Sequence, residues 1–384
     1  MYRVAMTSAV HVDDDIAIAE GLPASAYVDP AWHARELATV FARGWQLVPE
    51  RDAADDPRPL IEQVAARGAR VPVALGGRAL YLQRGWDDDV LRLFPNTCTH
   101  AWYPLVPGPS RGPTLVCGQH GRRFDCTGRM ISQPGFAGAR DFPRACDHLR
   151  SLPVTTWRGL VLAALDEHAA PAAEVLAPVD ASLVRFPDRL ERGVGEVREV
   201  PGNWKLHAHN FLDHFHIAHV HRAPGGLADA IDLGTYQTEL FDHAVLQWAY
   251  ARDPADGFDP TLLPPRFHDA GGRRVFALWW FVYPNLALNF YPWGLSVNAY
   301  QPLPDRPDAT RFGWYHWVLD RARYAERDRR WLSAQVDAED VDALAQVSRG
   351  LRSGFAPRGR FAPSEERAAH WLHRKVARDV AAQG

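Results

Sequence analysis

Four side chains fall into two mixed pairs: Cys98 and His100 with one residue between them, and Cys117 and His120 with two. A spacer of sixteen residues, rich in Pro and Gly, separates the pairs. Two short loops held apart in this way can close on one metal centre from two sides. Two thiolates and two imidazoles suit a tetrahedral zinc, or a [2Fe-2S] cluster in which the thiolates hold one iron and the imidazoles the other. Zinc sites ordinarily pair Cys with Cys and His with His. Here each loop gives one of each, which favours the cluster. Gly118 and Gly121 let the second loop's backbone come close to such a group.

A second stretch, PGNWKLHAHNFLDHFHIAHVHRA from Pro201 to Ala223, carries His207, His209, His214, His216, His219 and His221 around one carboxylate, Asp213. So many imidazoles on an apolar segment are costly unless metal or hydrogen bonds satisfy them. A helix is expected from near Asn203. His216 shares a face with His219 and with His209, whereas His221 lies five residues on, about 140° around an ideal helix. Bringing His216 and His221 together needs a bend or a helix end, and the Pro-Gly-Gly after Ala223 signals one. Spacing alone leaves the pairing open.

The elements around these residues read in order. Asp29 and Pro30 mark the cap and first residue of an amphipathic helix that runs through Leu37, Val40 and Phe41. From Gln46 to about Leu165 short strands alternate with turns, as in VPVALGG, RALYLQRG and GLVLAAL. Residues 166–192 form an Ala/Pro-rich connector with no evident chemical group. Strands follow at 276–282, 286–291, 295–302 and 311–319, rich in Trp, Phe and Tyr. These aromatics suit a sheet core, and a few could line an apolar pocket. The last long helical pattern begins near Tyr324 and holds Asp337, Glu339, Asp340 and Asp342, a charge run that would otherwise read as a solvated face.

With these motifs in view, CGQHGRRFDCTG resembles the second cluster loop of the ring-hydroxylating Rieske oxygenases. NW-K followed by NF-x-D-x-x-H-x4-H resembles their mononuclear iron motif. The resemblance runs from Leu22 to about Gly354. It implies an α+β chain: a small all-β Rieske [2Fe-2S] domain and a larger catalytic domain of helix-grip, START-like type, an antiparallel sheet with a long helix packed on it. Residues 1–45 would be a helical lead packing on the catalytic domain, 46–165 the Rieske domain and 166–384 the catalytic mononuclear iron domain.

Carried over residue by residue, Cys98, His100, Cys117 and His120 hold the cluster, while His216 and His221 hold Fe(II). Such oxygen-activating iron takes two His and one carboxylate. Asp340, ten residues before Gly350-Leu351, fits the third position, with Asp337 next. Asp213 and Asn210 take the catalytic positions, and Asn203, Trp204 and Lys205 fill the rest of the motif. Two departures stand out: His209 replaces the family's Glu before the Asn-Phe pair, and Ala101-Trp102 replace Arg-Gly after the first cluster His.

The implied activity is that of a terminal oxygenase. Electrons from NAD(P)H arrive through a ferredoxin or flavin reductase, and O2 is used to mono- or dihydroxylate a small organic substrate. Asp213 stands where relatives acting on quaternary amines often carry Glu, which points toward an aromatic or apolar substrate. The alternative is a monooxygenase or N-demethylase of a choline-, betaine- or carnitine-like quaternary ammonium compound, and a remoter one a Rieske electron carrier. The family further implies a homotrimer in which one subunit's cluster meets its neighbour's iron. Asp213 would then accept hydrogen bonds from His216 and from a cluster histidine, His120.

Composition bounds the rest. The chain has 384 residues, a formal charge of −3 and 47% hydrophobic residues, enough for about two domains. That balance gives no reason to expect nucleic acid or a membrane as partner. The first residues lack a signal-peptide pattern, and the longest apolar run, Val275–Val282, is too short to span a bilayer. Cys126 and Cys146 read as buried free thiols of a cytoplasmic protein.

Overall fold

The structure, a computed structural model, describes residues 10–50, 56, 58–183, 191–222, 224–330 and 333–382. It divides into two compact units, Ala42–Ala169 and Met1–Phe41 together with Ala170–Gly384.

The first of these is built from short antiparallel strands. One sheet runs Leu91–Pro95, Arg78–Arg84, Ala69–Leu75 and Ser110–Arg111 in spatial order. A second pairs Gln46–Leu47 with Leu160–Ala163 and Val154–Trp157. A third pairs Thr114–Val116, Arg123–Asp125 and Met130–Ser132. The second Cys/His loop is the turn joining Thr114–Val116 to Arg123–Asp125, and the first follows directly on Leu91–Pro95. Of the two spare cysteines, Cys126 is buried but Cys146 is exposed, which corrects the expectation for Cys146. It sits in a 3-10 turn, Ala145–Asp147, that buries none of its residues.

The other unit is organised by one seven-stranded antiparallel sheet. In spatial order it runs Glu191–Pro201, Arg306–Val318, Gly294–Leu303, Leu286–Tyr291, Val275–Val282, Ala244–Tyr250 and Gln237–Leu240. The last two strands were not read from sequence. Val275–Val282 is buried at every position, so both of its faces are covered. That explains an apolar run without alternation. The connector holds a helix, Ala172–Ala181, despite Pro178. A helix over Arg367–Ala381, also unread from sequence, buries Ala368, Ala369, Leu372, Val376, Ala377 and Val380 at helical spacing.

At the start of this unit Asp29 caps helix Pro30–Ala38, its carboxylate accepting from the Ala31 N–H at 2.8 Å. The helix ends three residues short of Phe41. Thr39 Oγ1 bonds back to Arg35 O, and a separate turn, Val40–Arg43, buries Val40 and Phe41. Glu36 on this helix is fully buried. It accepts hydrogen bonds from Trp32 Nε1, Trp204 Nε1 and Lys205 Nζ at 2.8, 3.0 and 2.9 Å. Asn203 caps helix Trp204–Leu212 and also accepts from Lys205 Nζ at 2.7 Å. Burial pulls the Lys205 amine down, and Glu36 opposes that pull. The Asn-Trp-Lys triplet is thus the anchor that seats the histidine-rich helix on the lead helix.

Candidate metal centres and their surroundings

Each Cys/His loop is pinned by its own backbone. In the first, Cys98 N donates to Tyr103 O and Trp102 N to Cys98 O, at 2.8 and 3.0 Å. Asn96 closes its base, accepting from the Leu105 and Val106 N–H groups. In the second, Cys117 N donates to Arg122 O, Gly121 N donates to Cys117 O, and Gly121 adopts φ +71°, where glycine is at ease. Arg122, buried and unnoticed in the sequence, clasps the loops together: its guanidinium donates to Thr99 Oγ1, Asp147 Oδ1 and Gln133 Oε1.

Cys98 and Cys117 are both buried, and the His100 and His120 rings lie 4.7 Å apart. His100 Nδ1 is buried without a hydrogen-bond partner, as suits a nitrogen that binds metal. Among the described residues, no three of these four side chains bring ligand atoms within 4.8 Å of one another. A single tetrahedral zinc needs ligand edges of about 3.3–3.8 Å from its bond lengths. A wider two-iron cluster is the group that fits.

The second centre forms where the histidine helix breaks. Helix Trp204–Leu212 ends at Asp213, whose Oδ1 accepts from the Phe215 N–H at 2.8 Å. His216 begins a new turn, Ile217–Val220, and His221 ends it. This break turns the five-residue spacing into convergence. His216 Nε2 and His221 Nε2 stand 3.2 Å apart, and Asp340 Oδ1 lies 3.6 and 3.0 Å from them. Asp340 Oδ1 is buried and accepts no well-formed hydrogen bond. Two imidazole nitrogens facing each other and one orphaned carboxylate oxygen are what a bound divalent cation would satisfy.

Outward-facing groups hold these rings. His221 Nδ1 faces Glu339 Oε2 at 2.9 Å, and His216 Nδ1 faces Asp213 Oδ2 at 3.6 Å. Burial pulls His216 down, but Asp213 and Asp340 outweigh it and raise its pKa to about 9. Burial pushes Asp340 up, but His216 and His221 hold it well below the usual carboxylate range. The four acidic candidates therefore separate. Asp337 pairs with Arg198, Glu339 with His221 Nδ1, Asp342 is exposed, and Asp340 alone meets both Nε2 atoms.

Of the remaining histidines in the run, His219 is exposed and meets the Phe215 ring edge-on, while the others have polar partners. His207 Nε2 lies 3.0 Å from Pro201 O, and His214 Nε2 lies 3.1 Å from Glu365. His209 forms, with Asp213 and Glu366, a second group whose ligand atoms lie within 4.8 Å of one another. Its tautomer argues against a metal there. Leu22 N–H donates to His373 Nδ1 at 3.0 Å, so His373 Nε2 carries the proton and faces His209 Nδ1 at 3.0 Å. His209 then holds its own proton on Nε2, which lies 3.7 Å from Glu366 Oε1. The histidine in place of the family's Glu is thus a donor toward carboxylates, locked from the C-terminal helix.

Asn210 lines a small recess with His207, Asn298, Tyr300, Asp337 and Asp340. Beside it, a cavity of about 140 Å³ reaches Asp340 and is bounded by Phe276, Asn289, Tyr291, Trp293 and Trp314. Tyr291 and Trp293 stack face to face at 4.7 Å, and Phe276 meets both edge-on at 5.9 Å.

Comparison with known proteins gives the family and the fold. Residues 187–382 match the family described as ring hydroxylating alpha subunit (catalytic domain), and residues 60–143 match the Rieske [2Fe-2S] domain. Choline monooxygenase of Arabidopsis thaliana is 26% identical, covering 91% of this chain and 80% of that protein. The carnitine monooxygenase oxygenase subunit of Escherichia coli is 21% identical over 88% and 87% of the two chains. A quaternary ammonium Rieske monooxygenase in complex with an inhibitor shares the fold at TM-score 0.72, with 20% identity and 97% and 99% coverage. Naphthalene 1,2-dioxygenase from Rhodococcus sp. does so at 0.72, with 18% identity and 95% of each chain covered. Members of this family carry a Rieske cluster and a mononuclear iron, and typically draw electrons from a separate reductase or ferredoxin. With residues 187–382 of 384 inside the catalytic-domain match, the chain belongs to the ring-hydroxylating alpha subunits and is a Rieske-type non-haem iron oxygenase.

Proposed function

We propose that the chain is the terminal oxygenase of a system that monooxygenates a quaternary ammonium compound. Cys98, His100, Cys117 and His120 hold the cluster, and His216, His221 and Asp340 hold the iron. When bound, the cluster supplies single electrons and the iron supplies the centre where dioxygen is reduced and the substrate oxidised. The chain's own residues do the positioning. Glu339 and Asp213 orient the two imidazoles through Nδ1. Asn210 lines the recess beside Asp340. The family's homotrimer is adopted here, with Asp213 also accepting from the neighbouring subunit's His120. A carboxylate suits two N–H donors, whereas Asn would present an NH2 to one of them. The bacterial carnitine monooxygenases favour a cytoplasmic setting, while the plant choline monooxygenases are chloroplastic.

One observation carries the substrate class: the stacked Tyr291–Trp293 pair with Phe276 against it, on the cavity that reaches Asp340. Aromatic faces attract a trimethylammonium head by cation–π contact. The choline and carnitine monooxygenase relatives point the same way. An aromatic substrate is the second reading, because the same rings could stack on one. Oxygen uptake with a surrogate reductase separates the two. Trimethylammonium compounds should stimulate uptake and yield an oxidised product. Stimulation by naphthalene-like rings alone would overturn the proposal.

A further inference from the structure

Four large apolar side chains are left exposed directly beside the proposed metal ligands. Trp102 and Tyr103 follow the first cluster histidine, Val116 precedes the second cluster cysteine, and Phe215 precedes His216. Trp102 is the most exposed of these four, at 81%, and is held at φ +61°. That left-handed conformation is easy for glycine, which the family has here, and strained for tryptophan. An indole on a strained backbone in water is unfavourable twice over. Both costs are offset if the ring is buried against a partner. Phe215 is 48% exposed and lies between Asp213 and His216, in the turn the Asp213 carboxylate fastens.

We infer that Trp102 of one copy packs against Phe215 of the next, and that this contact seats the cluster loop over the Asp213–His216 turn. The inference rests on the head-to-tail trimer reading and adds the residues that would enforce it. A single chain carries both patches, one beside each metal site. A heterologous interface joining patch to patch repeats from copy to copy and can close a ring. A permanent assembly keeps the indole covered, whereas a transient redox partner would leave it in water between encounters. Lasting interfaces are correspondingly the more apolar ones.

The test uses mass photometry and sedimentation of the iron-loaded full-length protein, as wild type, Trp102→Gly, Phe215→Ser and the double variant. Each single variant should move trimer dissociation to at least about tenfold higher concentration, as expected for an aromatic anchor. The double variant should fall short of the product of the two, since both lose one contact. Trp102→Gly should keep its cluster spectrum and show no loss of thermal stability as a monomer, because glycine relieves the backbone. A wild-type monomer at micromolar concentration would sink the trimer reading itself. A wild-type trimer that Trp102→Gly leaves unchanged would overturn the inference alone. So would normal assembly with slowed reduction by the reductase, which would give Trp102 to that partner.

Discussion

The four proposed cluster ligands all fall between Cys98 and His120, on two loops that fix their own shape through backbone hydrogen bonds and the Arg122 clasp. The proposed iron ligands come from a helix break and from a helix, Ser333–Leu351, more than a hundred residues further on. Their environment is borrowed more widely still. Glu36 anchors the histidine helix from the lead segment, and His373 and Glu366 orient His209 from the end of the chain. One centre is self-contained and the other is assembled. A self-contained site should survive damage elsewhere, and an assembled one should be vulnerable at each of its supports.

The most drastic way to break this contrast is to remove an imidazole. His221→Ala should take iron from about three per chain to about two, with acid-labile sulfide and the cluster spectrum unchanged. Metal analysis beside visible absorbance reads both. Simultaneous loss of the cluster would mean that the centres depend on each other for folding.

The same contrast decides what could be read from the sequence. The cluster ligands were legible because their spacing is local and their residue types are rare. The histidine run was legible as a metal segment, but not its pairing. That depends on a helix break set partly by Asp213 accepting from the Phe215 N–H, a contact no periodicity reveals. Asp340 was favoured over Asp337 only by resemblance. The physical reason is tertiary: Arg198 on the edge strand Glu191–Pro201 neutralises Asp337. The C-terminal helix carried a readable signal in its apolar spacing from Ala368 to Val380. The partners His373 and Glu366 make for His209 had none.

A gentler break removes a support rather than a ligand. Lys205→Met leaves Glu36 buried without its cation, which should cost about 3–5 kcal/mol in the catalytic unit. Urea unfolding should show that unit, with its iron, melting earlier while the cluster absorbance holds to the original midpoint. An unchanged midpoint would show that Trp32 and Trp204 satisfy Glu36 by themselves.

Acid should discriminate in the same sense. Burial pulls His207 down to about 4 from the ordinary imidazole value of 6.5, with the Pro201 carbonyl opposing. Between those values the unfolded chain binds a proton that the folded one refuses. Stability is therefore full above about pH 6.5 and falls as the pH drops toward 4, by up to about 1.4 kcal/mol per pH unit. His207→Gln can still donate to Pro201 O and should flatten that slope. Urea midpoints measured across the window would show it, and an unaltered slope would assign the acid sensitivity to another group.

The smallest effect sharpens the contrast most, because it touches neither ligand nor fold. His221 Nδ1–H donates to Glu339 at 2.9 Å, which leaves the Nε2 lone pair aimed at the proposed metal and makes the ring a better donor. His216 has the looser arrangement, 3.6 Å from Asp213. Glu339→Gln keeps an acceptor at that place but loses the charge, so iron affinity should fall about 10–100-fold in competition with a chelator. Asp213→Asn should weaken iron less than Glu339→Gln does, because its contact is longer, while slowing product formation in a single turnover of pre-reduced protein. Asp342→Asn, on an exposed position of the same helix, should leave iron affinity unchanged. If Asp342→Asn weakened iron as much as Glu339→Gln, the effect would be the helix's overall charge rather than one hydrogen bond to His221.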